Sequence, residues 1–504
     1  MIYRLLRWIA GVALDWFYAG IEVVGAERVP ADVPLLVVAN HPNQLVDALL
    51  VARALGRRVT FTGKAVLMEN PAVALLGRTV GFVPLRRVQD ELKARGGPPT
   101  GNLTPPGATS DTGSPPARPP DRDRNAAAFD AIISALGRRE AVLIFPEGIS
   151  HDRPELAPIK TGAARIALQA RDRAGVRALH VVAVGLTFER KWDARTRVLV
   201  QVGEPLALDG WRPAPPAGAD GAASSDDAAS ADDAAAATQL TAEVERRLRA
   251  VTLNFPTPEA RGAVLPTSAL LATLLEDDVR PLGDPEAPLP AVVELARRVE
   301  AVRCALAEGG DAGASASDHT RVGRFSDRLE RLRATLAARR IAPSEVLLEP
   351  VLGAGAWFVL REAVLVALGG PVALWGRMNH WAPLALARAA SRRTSRNPED
   401  PAMHTIVAGL LIVPVFYAAQ TALVWRLAGA WWALPYLLSL PVAAGWWLRY
   451  ADRLAHARRR MRAWLLFRRE PELREELRRE AEWVRGEAAE IERAIGGREV
   501  VGSV

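Results

Sequence analysis

The chain has 504 residues, 49% of them apolar, which is enough to bury a full core and build two or three domains and excludes a small peptide module. Its 64 basic and 57 acidic side chains leave a net charge of +7, an excess that suits an anionic membrane surface or a phosphorylated substrate as well as nucleic acid. The single cysteine, Cys304, excludes an internal disulfide, a cysteine metal cluster and a secreted disulfide framework.

Residues 2–19 are apolar but carry Arg4, Arg7 and Asp15, and no small-residue cleavage site follows, so they do not read as a signal peptide. Trp8, Trp16, Phe17 and Tyr18 can sit at headgroup level, and residues 1–20 are expected to form an interfacial helix, with an ordinary core helix as the alternative. From 21 to 208, short apolar runs at 35–39, 141–145 and 181–187 alternate with helical stretches, the rhythm of an α/β domain. Residues 96–122, dense in Pro, Gly, Ser and Thr, read as a flexible insertion in it.

Residues 209–238 mix alanine and glycine with Asp220, Asp226, Asp227, Asp232 and Asp233 and read as a disordered linker. Residues 239–350 carry helical periodicity and are expected to form a helical region without chemistry. In the membrane region 351–450, residues 405–425 and 427–448 form two uncharged runs of 21 and 22 residues, each long enough to cross a bilayer. They read as a transmembrane hairpin. Arg388, Arg392, Arg393 and Arg396 precede it and Arg449, Arg453 and Arg458 follow it, which puts both ends in the cytoplasm. The apolar run 363–376 is too short to span and reads as re-entrant or partly buried, and 451–504 as a charged, solvated helix.

The sharpest chemistry follows the first buried strand, in Asn40-His41-Pro42-Asn43-Gln44-Leu45-Val46-Asp47. A histidine at a strand end can take a proton from an alcohol near neutral pH, and a carboxylate opening the next helix can hold its tautomer. A second strand ends in Gly81-Phe82-Val83-Pro84-Leu85-Arg86-Arg87, whose two guanidiniums suit a phosphate. A third ends in Phe145-Pro146-Glu147-Gly148, where Glu147 is expected to orient substrate and Gly148 to permit close backbone approach. Three polar sets at strand ends would face one crevice.

These blocks, in this order, resemble the glycerolipid acyltransferase superfamily: His41 and Asp47, then Gly81 and Arg87, then Phe145-Pro146-Glu147-Gly148, then 181–185. Five residues separate His41 from Asp47 where four are commonest, so His41 must lie in a loop ahead of the helix. That extra residue, Ser150-His151-Asp152-Arg153 and the segment 188–203 are similar to the fungal-type glycerol-3-phosphate acyltransferases and their bacterial relatives. The resemblance covers residues 20 to 208 and implies a central mixed sheet flanked by helices. It also implies attack of an acceptor hydroxyl on an acyl-CoA or acyl carrier protein thioester. His41 and Asp47 would be catalytic, and Arg86, Arg87, Glu147, Gly148 and Lys160 would bind substrate, with no metal and no cofactor. The implied partners are membrane lipids, the thioester donor, and glycerol-3-phosphate or lysophosphatidate as acceptor, at the cytoplasmic face of a membrane (the inner membrane in a bacterium). A non-catalytic lipid-binding module is the rival class. Nucleic-acid binding lacks any motif.

Overall fold

The computed structural model describes residues 2–69, 71–86, 125–214, 225–275, 287–307, 316–346, 352–395 and 401–499. Arg87 and the 96–122 insertion therefore lie outside the described residues. Strand β1 (Gly20–Val24) follows helix α1 (Ile2–Phe17); β2 (Leu35–Ala39), β3 (Val59–Lys64), β4 (Phe82–Leu85), β5 (Ala141–Ile144), β6 (His180–Phe188), β7 (Arg197–Val202) and β8 (Leu206–Ala207) complete one sheet. Its order is β1-β7-β6-β2-β5-β3-β4, with β8 paired to β6. Strands β6, β2, β5, β3 and β4 are parallel neighbours, β7 and β8 run against β6, and β1 runs with β7, so the sheet is mixed as expected.

Every residue of β2 is buried, which its continuous Leu-Leu-Val-Val-Ala run requires of a strand covered on both faces. Leu35, Val37 and Ala39 point to one layer, with α1 and α2 (Leu45–Leu55). Leu36 and Val38 point to the other, with α4 (Ala126–Gly137), α5 (Gly162–Asp172) and α6 (Ser225–Val251). Burial of each such Val or Leu contributes about 1.5–3 kcal/mol. Helix α3 (Pro71–Val80) connects β3 to β4.

Two expectations need correction here. Residues from Ser225 onward are helical rather than linker, because the alanine runs outweigh the aspartates in helix propensity. The domain core also runs beyond 208: Leu240, Val244, Leu248 and Val251 of α6 are buried with Leu36 and Val181.

Helices α7 (Pro258–Leu275), α8 (Leu289–Ala307) and α9 (Ala316–Arg339) form the expected helical region, and α8 places Leu289 and Val293 against Leu199 of β7. The tail is not a free solvated helix. α12 (Ala430–Arg469) and α13 (Pro471–Glu499) bury Phe467, Leu477, Ala481 and Val484 with Leu270, Leu274, Leu329 and Leu332. Arg328 pairs with Glu480 at 2.6 Å and lies 4.1 Å from the centre of the Trp483 ring, so the alternating charges of the tail include pairs between helices.

Helices α10 (Leu352–Thr394), α11 (Pro401–Ala428) and α12 pack together. α11 is the one described helix long and apolar enough to cross a membrane. The second expected span falls in the first half of α12, where Pro435, Pro441 and four tryptophans lower the hydropathy. The run 363–376 is not a separate element but part of the 43-residue helix α10. Large apolar side chains face outward on all three: Leu368 (74% exposed) and Met378 on α10, Leu411 and Val415 on α11, Trp431 (91%) and Val442 on α12. A soluble protein rarely leaves so large an apolar surface uncovered, whereas lipid would cover it. At its other end α11 buries Ala402 and Ile406 in the core of the α/β domain beside Leu14 and Phe17. α1 itself divides likewise: Leu14 and Phe17 are core, and Ile2, Leu5 and Trp8 are exposed. Full-length protein is expected to stay with membranes through an alkaline carbonate wash. Changing Leu411 and Val415 to lysine, at about 3 kcal/mol each near the bilayer centre, should weaken that retention. Wild-type protein in the wash supernatant would remove the membrane assignment.

Candidate active site

The parallel strands end at one edge of the sheet, and the chain beyond each end carries the polar residues. Past β2, the Asn40 amide takes up the Leu186 backbone in both directions, at 2.8 and 3.1 Å, and so extends the pairing of β2 with β6 by one residue. The chain then turns. Gln44 adopts φ 50° immediately before α2, so the extra residue of the His-x5-Asp spacing is absorbed in the turn. His41 consequently sits in the loop and Asp47 in the first helical turn, with Nδ1 of His41 3.0 Å from Oδ2 of Asp47.

Asp47 is fully buried. Its Oδ2 also accepts the Asn43 backbone N–H at 2.6 Å, while Oδ1 has no partner among the described residues. Burial pushes its carboxyl above the ordinary range, opposed by His41, the Asn43 amide and the Lys191 charge. A carboxylate with raised proton affinity next to the imidazole is matched to stabilise an imidazolium. Tyr18, buried beside Asn43, is held well above the usual phenol range by burial and the Asp47 charge, and stays neutral. With Nδ1 committed to Asp47, Nε2 is the ring nitrogen available to a substrate; its tautomer follows from the hydrogen bond. Phe145, at the end of β5, stacks on the imidazole with ring centres 3.8 Å apart and planes 14° apart.

Glu147 is buried, and both its oxygens are spent on the protein: Oε1 accepts the His41 backbone N–H at 3.0 Å, and Oε2 accepts the Ala157 N–H at 2.8 Å and meets Nε2 of His151. The His151 backbone N–H in turn donates to the His41 carbonyl. Glu147 therefore fixes the peptide of the histidine. Gly148 has φ 72°, and a Cβ there would lie 2.6 Å from Nζ of Lys160, so the close approach expected at this glycine is made by the lysine.

Lys160 pairs with no acidic side chain among the described residues, nor does Arg86, which is exposed at the end of β4 while Asn125 holds its backbone at 2.8 and 3.0 Å. Lys64 ends β3 directly across from Leu85 and was not foreseen. Strand β4 is three places from β2, about 14 Å at 4.8 Å per strand. Lys191, beyond β6, was also not singled out, although its side chain is only 4% exposed. One signal was available: the 64 basic residues include four lysines, of which Lys64, Lys160 and Lys191 all follow strand ends of this edge or the turn beside them.

Residues 20–187 match the family model described as Acyltransferase. An uncharacterized acyltransferase of Schizosaccharomyces pombe is 26% identical over 266 residues, which cover 41% of this chain and 39% of that protein. Glycerol-3-phosphate O-acyltransferase 2 of Saccharomyces cerevisiae is 26% identical over 292 residues, covering 42% and 39%. The aligned part thus spans about two fifths of the length of these relatives, 39% in each. The crystal structure of the 1-acyl-sn-glycerophosphate acyltransferase of Thermotoga maritima aligns with a TM-score of 0.30 and 16% identity, over 49% of this chain and 81% of that one.

Proposed function

We propose, from the acyltransferase domain at residues 20–187, that the protein is an O-acyltransferase moving a fatty acyl group from a thioester donor to a hydroxyl of glycerol-3-phosphate. The observation that carries this reading is the His41–Asp47 pair, 3.0 Å apart at the sheet edge where parallel strands end. The relatives named as glycerol-3-phosphate O-acyltransferases supply the acceptor.

Nε2 of His41 takes the proton of the acceptor hydroxyl as its oxygen attacks the thioester carbonyl. Asp47 and the Phe145 face stabilise the imidazolium that forms. The tetrahedral intermediate collapses, the C–S bond breaks, and the imidazolium returns its proton to the leaving thiolate. No acyl-enzyme forms, and the thioester is activated enough to need no metal. Lys160 and Arg86, with Arg87, hold the acceptor phosphate. The first turns of α11, set in the domain core, keep this edge close to the bilayer into which the acylated product passes. The arginines before and after residues 405–448 support a cytoplasmic face for the domain by the positive-inside rule.

If Lys160 binds the phosphate, Lys160→Ala should raise the acceptor KM by about tenfold and leave kcat nearly unchanged, because that contact is equal in the ground and transition states. The assay is acyl-CoA-dependent formation of lysophosphatidate by purified protein in detergent. An acceptor KM equal to wild type would take Lys160 out of the site.

A further inference from the structure

We propose that Lys191 is a positioning residue for His41, holding the Pro42 peptide so that the imidazole keeps its place against Asp47. The inference rests on the acyl-transfer reading above. Lys191 lies in the connection between β6 and β7, and its Nζ donates to the Pro42 carbonyl at 2.8 Å. The same ammonium pairs with Asp152 at 2.8 Å and lies 4.4 Å from the centre of the Trp192 ring. Its own carbonyl accepts Nδ2 of Asn43 at 3.3 Å. Lys191 therefore grips the residues on both sides of the 42–43 peptide, one through its side chain and one through its backbone. Asn43 passes the constraint on, since its N–H is the donor to Oδ2 of Asp47.

The connection is itself anchored. Arg195, with φ 64°, donates to the carbonyls of Asp15 and Tyr18 and pairs with Asp452 of α12. A buried ammonium needs partners, and here they are one carboxylate, the carbonyl next to His41 and the face of Trp192. Strength beyond a neutral hydrogen bond is expected of such a charged donor. The groups acting on Asp47 are His41, the Asn43 amide and the Lys191 cation; Asp152 lies 2.8 Å behind that cation and itself meets Arg261 at 3.6 Å. Charge at 191 thus favours the ionised carboxylate, and charge at 152 opposes it.

The test measures kcat, acceptor KM and the pH dependence of kcat/KM on full-length protein in detergent, with acyl-CoA and glycerol-3-phosphate. Lys191→Met should lower kcat about 100-fold, the cost of a small misplacement of a catalytic group, with acceptor KM within about twofold of wild type. Its acid limb should move to higher pH. Lys191→Arg should recover most of kcat. Asp152→Asn, which leaves the cation in place, should move the acid limb to lower pH; it carries the test if Lys191→Met fails to fold, judged by circular dichroism and melting. Wild-type kcat in Lys191→Met, an arginine variant as impaired as the methionine one, or limbs that do not move in opposite directions would overturn the proposal. Wild-type protein that transfers no acyl group to glycerol-3-phosphate or lysophosphatidate would instead overturn the functional reading on which it rests.

Discussion

Alanine at position 41 is expected to lower kcat for acyl transfer on the order of 10⁴-fold, the upper range for a positioned acid–base group. In the proposed reaction the acceptor is an alcohol, and without a base beside it the hydroxyl must lose its proton unaided as it attacks. Nε2 is the only ring nitrogen left for that task, since Nδ1 is 3.0 Å from Asp47. Removing the ring also uncovers one face of Phe145 without disturbing Glu147, which holds position 41 through its backbone N–H. The fold should therefore survive, with the melting temperature close to wild type and acceptor KM little changed. A folded His41→Ala protein retaining a tenth or more of wild-type kcat would end the general-base assignment.

Asp47→Asn should be nearly as damaging, about 10³-fold in kcat, for a different reason. Oδ2 of Asp47 receives two donors, the Asn43 N–H and Nδ1–H of His41. An asparagine can turn its oxygen to those donors, in which case the tautomer survives but the imidazolium loses its counter-charge. Turned the other way, its amide N–H meets Nδ1, and the ring proton shifts to Nε2, where it blocks the base. Either orientation leaves protein that binds acceptor and reacts slowly. Should Asp47→Asn raise KM while leaving kcat intact, Asp47 would be a structural residue of the buried cluster and not a partner of the base.

Much of this was legible in the sequence. The run at 35–39 could only be a strand buried on both faces, and a histidine following it with an acidic residue opening the next helix specified the dyad. Even the unusual five-residue spacing had one reading compatible with contact, the one that Gln44 realises with its positive φ. The partners of Glu147 were not legible because a carboxylate at a strand end looks the same in sequence whether it faces a crevice or the backbone of a neighbouring loop. The deciding partners, His41 N–H and Ala157 N–H, are 106 and 10 residues away. Lys191 was missed for the same reason: its role depends on a carbonyl 149 residues earlier in the chain. The helical start at Ser225 and the buried face of α13 escaped notice because polar, alanine-rich or charged composition does not show which face a distant helix will cover.

In the proposed reaction the acceptor is glycerol-3-phosphate. Radiolabelled acyl-CoA supplied to purified wild-type and His41→Ala protein, with glycerol-3-phosphate and lysophosphatidate offered in parallel and the products separated, tests it directly. The expected result is label in lysophosphatidate from glycerol-3-phosphate with wild type and none with the variant. Label appearing only in phosphatidate from lysophosphatidate, or no His41-dependent label with either acceptor, would contradict it.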